Sequence, residues 1–306
     1  SQDSYPAWDS ILTKHQPLTG ELHRADEEPA IIIYTSGSTG KPKGVIHCFR
    51  AMSVSCEGLQ KTLALSPEDR FLSYLPLAHV FERAAIEACS MWSGSQVFFA
   101  DSLETFLSDI KRARPTLFHS VPRLWLKFQQ GVFEKMPAEK LRTMLKIPIL
   151  GGVIRRKVLS GLGLEHTRIA VSGSAPIPPE IITWYNDLGL ELLEGYAMSE
   201  NFAYSHLALP GRTRPGYVGE PLPGVDAKIS PQGEVLVKSP GTMLGYHKDT
   251  ALTNSCFTED GFLRTGDRGE IDPQNRLKLT GRVKELFKTS KGKYVAPAPI
   301  ENLLNS

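Results

Sequence analysis

The chain has 306 residues, and its 35 lysines and arginines nearly balance 33 aspartates and glutamates, which leaves a formal net charge of +2. This balance gives no general basic field, which argues against nucleic acid as a partner. The four cysteines, Cys48, Cys56, Cys89 and Cys256, lack the paired spacing of a zinc site and the density of a disulfide scaffold, so we expect reduced and mostly buried thiols. No apolar run in the sequence is long enough to span a bilayer, and we predict a cytoplasmic protein.

Short β-rich runs alternate with helical patterns from residue 30 to about 197. This alternation predicts an α/β fold with a mostly parallel sheet layered with helices. The predicted strands are AIIIYT (30–35), RFLSYL (70–75), QVFFA (96–100), TLFHSV (116–121), RIAVSG (168–173) and LELLEGYA (190–197). In the helical segment SLETFLSDIKRA, the residues Leu103, Phe106, Leu107 and Ile110 are spaced to form one buried face.

The pattern changes near residue 211, where turn signals begin to recur every few residues up to about residue 280. Short strands between these turns predict a small β-rich, distorted barrel-like subdomain. We therefore divide the chain into a core at 1–210, a β-rich subdomain at 211–282, and a hinge with the start of a further domain at 283–306. Within the core, residues 131–165 form a basic insertion that we expect to be helical and partly exposed.

The segment YTSGSTGKPKG, residues 34–44, follows a β-branched run and precedes a segment predicted to be helical from about Cys48 to Leu65. It is not a Walker A loop, because Thr35 and Pro42 occupy positions where that motif needs Gly and Ser or Thr. It also lacks the glycine spacing of a dinucleotide fingerprint. Its hydroxyls, its backbone N–H groups and the charge of Lys43 suit a phosphate.

Four further segments strengthen this interpretation because they follow the loop in a recognisable order. They are SGSAP (172–176), GYAMSE (195–200), LRTGD (263–267) and GRVKELFKTSKGKYV (281–295). Together with the loop they resemble the adenylate-forming superfamily, which includes acyl-CoA synthetases, luciferases and the adenylation domains of peptide synthetases. LPLAHVFER (75–83) and the long segment that begins at Gly269 narrow the resemblance to long-chain fatty acyl-CoA synthetases.

The resemblance implies a role for each matching residue. Thr35 and Glu200 would be Mg²⁺ ligands, because a hydroxyl and a carboxylate are hard oxygen donors, and with Lys43 and His79 they would form the catalytic set. The nucleotide-binding set would be Ser36, Gly37, Ser38, Thr39, Gly40, Gly173, Ser174, Ala175, Tyr196, Ser199, Asp267 and Arg282. Lys284 would be the hinge residue.

Within that set the implied contacts differ. The loop residues would wrap the β- and γ-phosphates, and the segment 173–175 would line the adenine. Tyr196 would stack on adenine, although a buried core tyrosine is the alternative. Asp267 would accept both ribose hydroxyls, and Arg282 would contact ribose or phosphate.

Two aromatic or imidazole residues have competing interpretations. His79 would border the carboxylate pocket of the acid, or it would be a structural histidine with satisfied hydrogen bonds. Trp125, in VPRLW, would gate an acyl tunnel or would pack in the core.

The implied activity is ATP-dependent activation of a fatty acid, followed by thioester formation with coenzyme A. ATP, Mg²⁺, coenzyme A and the fatty acid are the expected small molecules; peripheral attachment to the inner face of a membrane and homo-oligomerisation stay open. Relatives have a longer segment before the loop and a further lysine near their C-terminus, so we expect this chain to be an incomplete and not fully active ligase. Two alternatives also stay open: a ligase for aryl or amino acids, and a non-catalytic nucleotide-binding module.

Overall fold

A computed structural model of the chain describes residues 7–17, 19–21, 23–35, 42–283, 287–288 and 294–295. Its α-helices are α1 (Trp8–Leu12), α2 (Phe49–Leu63), α3 (Val80–Glu82), α4 (Cys89–Ser93), α5 (Phe106–Ala113), α6 (Pro122–Lys135), α7 (Ala138–Leu145), α8 (Leu150–Leu162), α9 (Pro179–Asp187) and α10 (Thr250–Ser255). A π-helix at Arg83–Ala88 follows α3, and a 3₁₀ turn lies at Ser199–Asn201.

The strands fall into several small sheets. They are β1 (Pro29–Thr35), β2 (Lys43–Cys48), β3 (Arg70–Ser73), β4 (Gln96–Phe99), β5 (Leu117–Ser120), β6 (Ile169–Ser172), β7 (Leu192–Tyr196), β8 (His206–Leu207), β9 (Glu220–Pro221), β10 (Asp226–Ile229), β11 (Glu234–Lys238), β12 (Gly245–Tyr246), β13 (Leu263–Ile271), β14 (Leu277–Arg282), β15 (Phe287–Lys288) and β16 (Tyr294–Val295).

Parallel pairing joins β5 to β6 and β6 to β7, and it also joins β3 to β4. Every residue of β5 and β6 is buried, as expected for parallel strands that are covered on both faces. The sheet continues through β8 and β9 in antiparallel pairing. The α/β fold class predicted from the alternation is confirmed.

The first strand departs from parallel pairing. It pairs antiparallel with β2, and β2 pairs antiparallel with β12, so that these three strands form their own sheet. The sequence patterns did not predict β2, because KGVIHC lies directly between a polar loop and a helix. Helix α2, at Phe49–Leu63, matches the helix that was predicted after the loop.

Strands β10, β11, β13 and β14 form a four-stranded antiparallel sheet. The predicted β-rich region is therefore confirmed, while its exact boundaries stay a prediction. The basic insertion is also helical, since both α7 and α8 lie within it and their contacting backbones form a helical hairpin.

The buried face predicted in SLETFLSDIKRA is wrong at two positions. Ile110 is fully buried, but Leu103 is 92% exposed and Leu107 is 50% exposed. The helix begins only at Phe106, because the Thr105 hydroxyl accepts the Ser102 backbone N–H and donates to the Asp109 carboxylate, and these local hydrogen bonds compete with helical geometry.

Trp125 is fully buried, its ring centroid is 5.0 Å from that of Tyr185, and its backbone carbonyl accepts a hydrogen bond from the Tyr185 hydroxyl at 2.9 Å. Core packing is thus the alternative that the structure supports. The four cysteines are free thiols, three of them buried. Among the described residues, no helix is long and apolar enough to cross a membrane.

Candidate functional site

The loop after β6 lies against the end of β7. The two strands are parallel, so their carboxyl ends meet at one edge of the sheet, which is where ligands bind in open α/β sheets. A Cβ on Gly173 would lie 3.3 Å from the Phe81 ring and 3.7 Å from the Gly195 carbonyl oxygen, so glycine permits this close approach. Ser174, at φ +70°, and Ala175 are exposed beyond it. The structure therefore brings the 173–175 segment beside Tyr196.

Tyr196 also contacts the β-rich sheet, through a group that we call the Asp267 cluster: Tyr196, Asp267 and Arg282. The Tyr196 hydroxyl donates to Oδ2 of Asp267 at 2.7 Å, and Nε of Arg282 lies 3.0 Å from Oδ1. Asp267 and Arg282 are register partners on β13 and β14. Burial, and then the charge of Asp267, raise the pKa of Tyr196, so its hydroxyl stays a donor. Three residues predicted from separate motifs thus lie together.

A second group, the Glu200 cluster, consists of Lys43, Glu200 and Tyr246. The Tyr246 hydroxyl donates to Oε1 of Glu200 at 2.6 Å, and Nζ of Lys43 lies 5.2 Å from the centroid of the Tyr246 ring. Burial and the neighbouring Glu200 carboxylate raise the pKa of Tyr246. Thr35 is the register partner of Lys43 across the β1–β2 hairpin, so it lies at the same end of that sheet.

Tyr246 was not identified from the sequence. It belongs to β12, which joins the β1–β2 sheet from about 200 residues further along the chain. The dipeptide GY at 245–246 carries no local signal of this role. Only the long-range strand pairing brings it between Lys43 and Glu200.

His47 ties Ser199 to β2. Its Nε2 lies 2.7 Å from the Ser199 carbonyl oxygen, and its ring meets the Phe202 ring edge-on at 5.2 Å. Burial lowers the pKa of His47 to about 4, so the ring is neutral near pH 7 and Nε2–H donates to the carbonyl. The contact fixes the backbone that carries Glu200.

His79 is exposed and caps α3, where its Nδ1 accepts the backbone N–H of Phe81 at 3.1 Å. Desolvation lowers the pKa of His79, against an opposing effect of Glu82. A neutral ring that accepts at Nδ1 carries its proton on Nε2. Phe81, whose N–H His79 accepts, has its ring 3.3 Å from the position of a Cβ on Gly173, so α3 approaches the 173–175 segment through Phe81.

A buried acid–imidazole pair supports this segment and was also missed. Oε2 of Glu82 lies 2.8 Å from Nε2 of His119, and both side chains are at most 1% exposed. Oε1 accepts the Ser73 hydroxyl at 2.7 Å and the Tyr74 backbone N–H at 3.0 Å. These contacts fasten the short helix α3 to β3 and β5.

Six predicted site residues lie outside the described residues, namely Ser36, Gly37, Ser38, Thr39, Gly40 and Lys284. In the described ranges, no group of three or more His, Cys, Asp or Glu side chains could hold a metal ion. A cleft of about 840 Å³ lies elsewhere, beside α7, α8 and α9, and the predicted site residues are not among those that line it.

The family described as "AMP-binding enzyme" matches residues 4–247. Human long-chain-fatty-acid–CoA ligase 1 is 34% identical, over 91% of this chain and 45% of its own length. Long chain acyl-CoA synthetase 3 of Arabidopsis thaliana is 32% identical, over 97% of this chain and 51% of its own. The chain thus spans about half the length of the curated relatives it matches.

Solved structures show the same fold. ATP-bound MatB from Rhodopseudomonas palustris has a TM-score of 0.78 at 25% identity and covers 97% of this chain, which in turn covers 56% of MatB. O-succinylbenzoate coenzyme A synthetase from Bacillus subtilis, in complex with AMP, has a TM-score of 0.76 at 24% identity; the match covers 96% of this chain and 58% of that one.

Proposed function

Because the chain belongs to the AMP-binding enzyme family, we propose that it holds the nucleotide site of a ligase that activates a fatty acid with ATP. The observation that carries the proposal is that the Asp267 cluster and the Glu200 cluster are joined by a segment of only five residues, 196–200. One cluster presents a carboxylate to a polar ligand, and the other combines a cation with a carboxylate. A nucleoside triphosphate has complementary groups at both ends.

At the first cluster, the nucleoside would bind. Asp267 would accept the two ribose hydroxyls, while the Tyr196 hydroxyl and Arg282 hold its carboxylate in position. Adenine would lie beside the 173–175 segment, where the glycine lets the backbone come close.

At the second cluster, the phosphates would bind near Lys43 and the loop at 36–40. Mg²⁺ would be held by the Thr35 hydroxyl and the Glu200 carboxylate, which are donors of the chemistry that this cation prefers. The described residues offer no larger set of acidic ligands, so phosphate oxygens would have to complete the coordination. The cation supplies charge neutralisation when bound, and the Tyr246 hydroxyl orients the Glu200 carboxylate for it.

The proposed reaction has two steps. A carboxylate oxygen of the acid attacks the α-phosphorus of ATP and pyrophosphate leaves; the thiol sulfur of coenzyme A then attacks the acyl carbon, with loss of its proton, and AMP leaves. Neither step needs a protein nucleophile, so the residues act by alignment and charge stabilisation. His79, which caps α3 next to Phe81, would form one wall of the carboxylate pocket.

The identity of the acid substrate is inferred from the names of the relatives that this chain resembles. The relatives at 34% and 32% identity are named for long-chain acids, which supports a long-chain fatty acid and coenzyme A as substrates here. A non-catalytic module is disfavoured because Thr35, Lys43, Glu200 and Asp267 are all retained. Membrane attachment, homo-oligomerisation and the domain boundaries stay predictions.

Acid-dependent exchange of pyrophosphate into ATP tests the proposal, measured on the longest natural form of the protein that contains this sequence. We expect exchange with palmitate and much less with benzoate or free amino acids. Exchange with an aryl or amino acid alone would support the other ligase. Calorimetric titration of this chain with Mg-ATP that gives no binding would overturn the nucleotide site itself.

A further inference from the structure

The α7–α8 hairpin exposes an unusual number of large apolar side chains at its tip. We define the hairpin tip as residues 146–153. Within it, Ile147, Ile149, Leu150 and Val153 are all exposed, with Ile149 at 90% and Val153 at 60%. Single exposed apolar residues need no explanation, but four within seven positions are a local concentration, and exposed apolar patches mark interaction sites.

The backbone of the tip holds Ile149 outward. Ile149 has φ +67° and ψ −56°, and the Leu150 N–H donates to the Pro148 carbonyl at 2.7 Å. These angles and this hydrogen bond define a classic γ-turn, which is rare and strained, particularly at a β-branched residue. The turn is closed tightly, because a Cβ on Gly151 would lie 2.4 Å from the Leu145 carbonyl oxygen. The chain therefore keeps an isoleucine in solvent at an energetic cost.

Basic side chains are frequent along both helices of this hairpin. Residues 138–162 contain six lysines and arginines and a single acid, Glu139, although the whole chain has a net charge of only +2. Arg155 is occupied by backbone carbonyls. The other five are exposed and, within the described part of the chain, have no ion-pair partner: Lys140, Arg142, Lys146, Arg156 and Lys157.

A second exposed apolar surface differs from the hairpin tip in its charge. Phe99, Leu103 and Leu107 are exposed around the start of α5. The stretch from 99 to 107 contains the acids Asp101 and Glu104 and has no lysine or arginine. Arg112, which donates to the Phe99 carbonyl oxygen, is paired with Asp109, so anionic lipid would be attracted more weakly there than at the hairpin tip.

We propose that the hairpin tip docks the protein onto an anionic lipid surface. Ile149 and Val153 enter the boundary between headgroups and acyl chains, and the five exposed bases pair with lipid phosphates while their methylene stems cover apolar surface. The charge asymmetry favours this partner over a second copy of the chain, because two such tips would repel each other. The proposal does not depend on ligase activity.

Co-sedimentation with vesicles tests it. The probes are vesicles of phosphatidylcholine with about 30% phosphatidylserine, vesicles of phosphatidylcholine alone, and both at low and high salt. We expect binding to the anionic vesicles that weakens at high salt. The triple variant K146Q/R156Q/K157Q should bind at least about tenfold more weakly, since each base near an anionic surface contributes on the order of fivefold.

Ile149→Gly is the sharpest variant. Glycine accepts the positive φ, so the turn and the thermal unfolding temperature should be kept while the inserted side chain is lost. We expect vesicle affinity to fall about threefold or more. The matched control Leu103→Ser removes an equally exposed apolar side chain from the acidic surface and should bind as the wild type does.

Any of the following results would overturn the proposal. One is equal binding of the tip variants and the wild type, and another is binding without preference for phosphatidylserine. The third is protection of Ile149 from hydroxyl-radical labelling in a longer natural form of the protein without vesicles, or a dimer that I149G dissociates, because the tip is then covered by protein.

Discussion

The candidate site and the hairpin tip use polar and apolar side chains in opposite ways. In the Asp267 and Glu200 clusters, the hydroxyls of two buried tyrosines donate to half-buried carboxylates at 2.6–2.7 Å, and Arg282 reaches Asp267 at 3.0 Å from the exposed side. At the tip, apolar groups project into solvent beside bases that have no described ion-pair partner. Polar groups held by hydrogen bonds suit a small ligand of defined shape. Charged side chains without a fixed partner, next to exposed apolar residues, suit a surface of variable shape.

The largest expected effect concerns Glu194, a carboxyl at the base of the site on β7. Burial raises its pKa to about 7, against a hydrogen bond from the Ile177 N–H. A raised pKa in the folded state means that the stability it contributes is present below its unfolded value of 4.5 and is lost as pH rises through 7. Relative to E194Q, the wild type should lose about 3 kcal/mol of unfolding free energy between pH 4.5 and 7.

Urea unfolding of both proteins across this range measures that difference. His47 and His206 have pKa values lowered to about 4 by burial, so they act in the opposite sense, with stability lost as pH falls from 6.5 to 4. The difference between variant and wild type removes their contribution. Parallel curves would show that Glu194 is ionised in the folded protein throughout.

Asp267→Ala should have the next largest effect, on nucleotide affinity. It removes the proposed ribose acceptor and leaves the Tyr196 hydroxyl and Arg282 without that carboxylate. We expect binding of Mg-ATP to weaken about fiftyfold, in line with the loss of a charged hydrogen-bond acceptor at about 2–3 kcal/mol. Calorimetry measures it, and Asp260→Ala, at an exposed aspartate of the same β-rich region, is the control. Equal affinities would remove Asp267 from the site.

Tyr246→Phe should have a smaller effect, which is confined to the binding of Mg²⁺. It keeps the ring beneath Lys43 but removes the hydroxyl that donates to Glu200. The apparent affinity for Mg²⁺ in the presence of ATP should fall about tenfold, equivalent to about 1.4 kcal/mol for one hydrogen bond to a charged group. Tyr217→Phe is the control. A loss of ATP binding that is independent of Mg²⁺ would contradict the assigned role.

The smallest effect belongs to the hairpin tip. Val153 is exposed and its neighbour Ile154 is buried, so the two form a matched pair on α8. Val153→Ser should change the free energy of unfolding by less than about 0.5 kcal/mol. Ile154→Ala should lower it by about 2 kcal/mol or more through the cavity it leaves. If Val153→Ser destabilised as strongly, the tip would be part of the core and not a free surface.

The sequence could predict the site residues that lie in short local motifs, but it could not predict contacts between segments that are far apart in the chain. Tyr196, Glu200 and Asp267 were found because each lies in a short string with a fixed order of residue types. Tyr246 and the pair of Glu82 and His119 were missed, since only tertiary folding brings their partners close.

The same distinction explains the errors in the fold. The apolar spacing in SLETFLSDIKRA is helical, but local hydrogen bonds around Thr105 delay the helix, so Leu103 lies outside it. Leu107 lies within α5, but the face of the helix that is buried is the one with Asp109, Ile110 and Ala113. Antiparallel pairing of β1 depended on β2, which gives a weak local signal.

The pairing of β12 with β2 also constrains the order in which this part of the protein can fold during translation. The β1–β2 hairpin leaves the ribosome about 200 residues before Tyr246 does, and closing so long a loop is slow. A nascent chain that has passed residue 200 already contains Lys43 and Glu200, yet it lacks the ring that lies between them. Assembly of this part of the molecule must therefore wait until translation is well into the β-rich region.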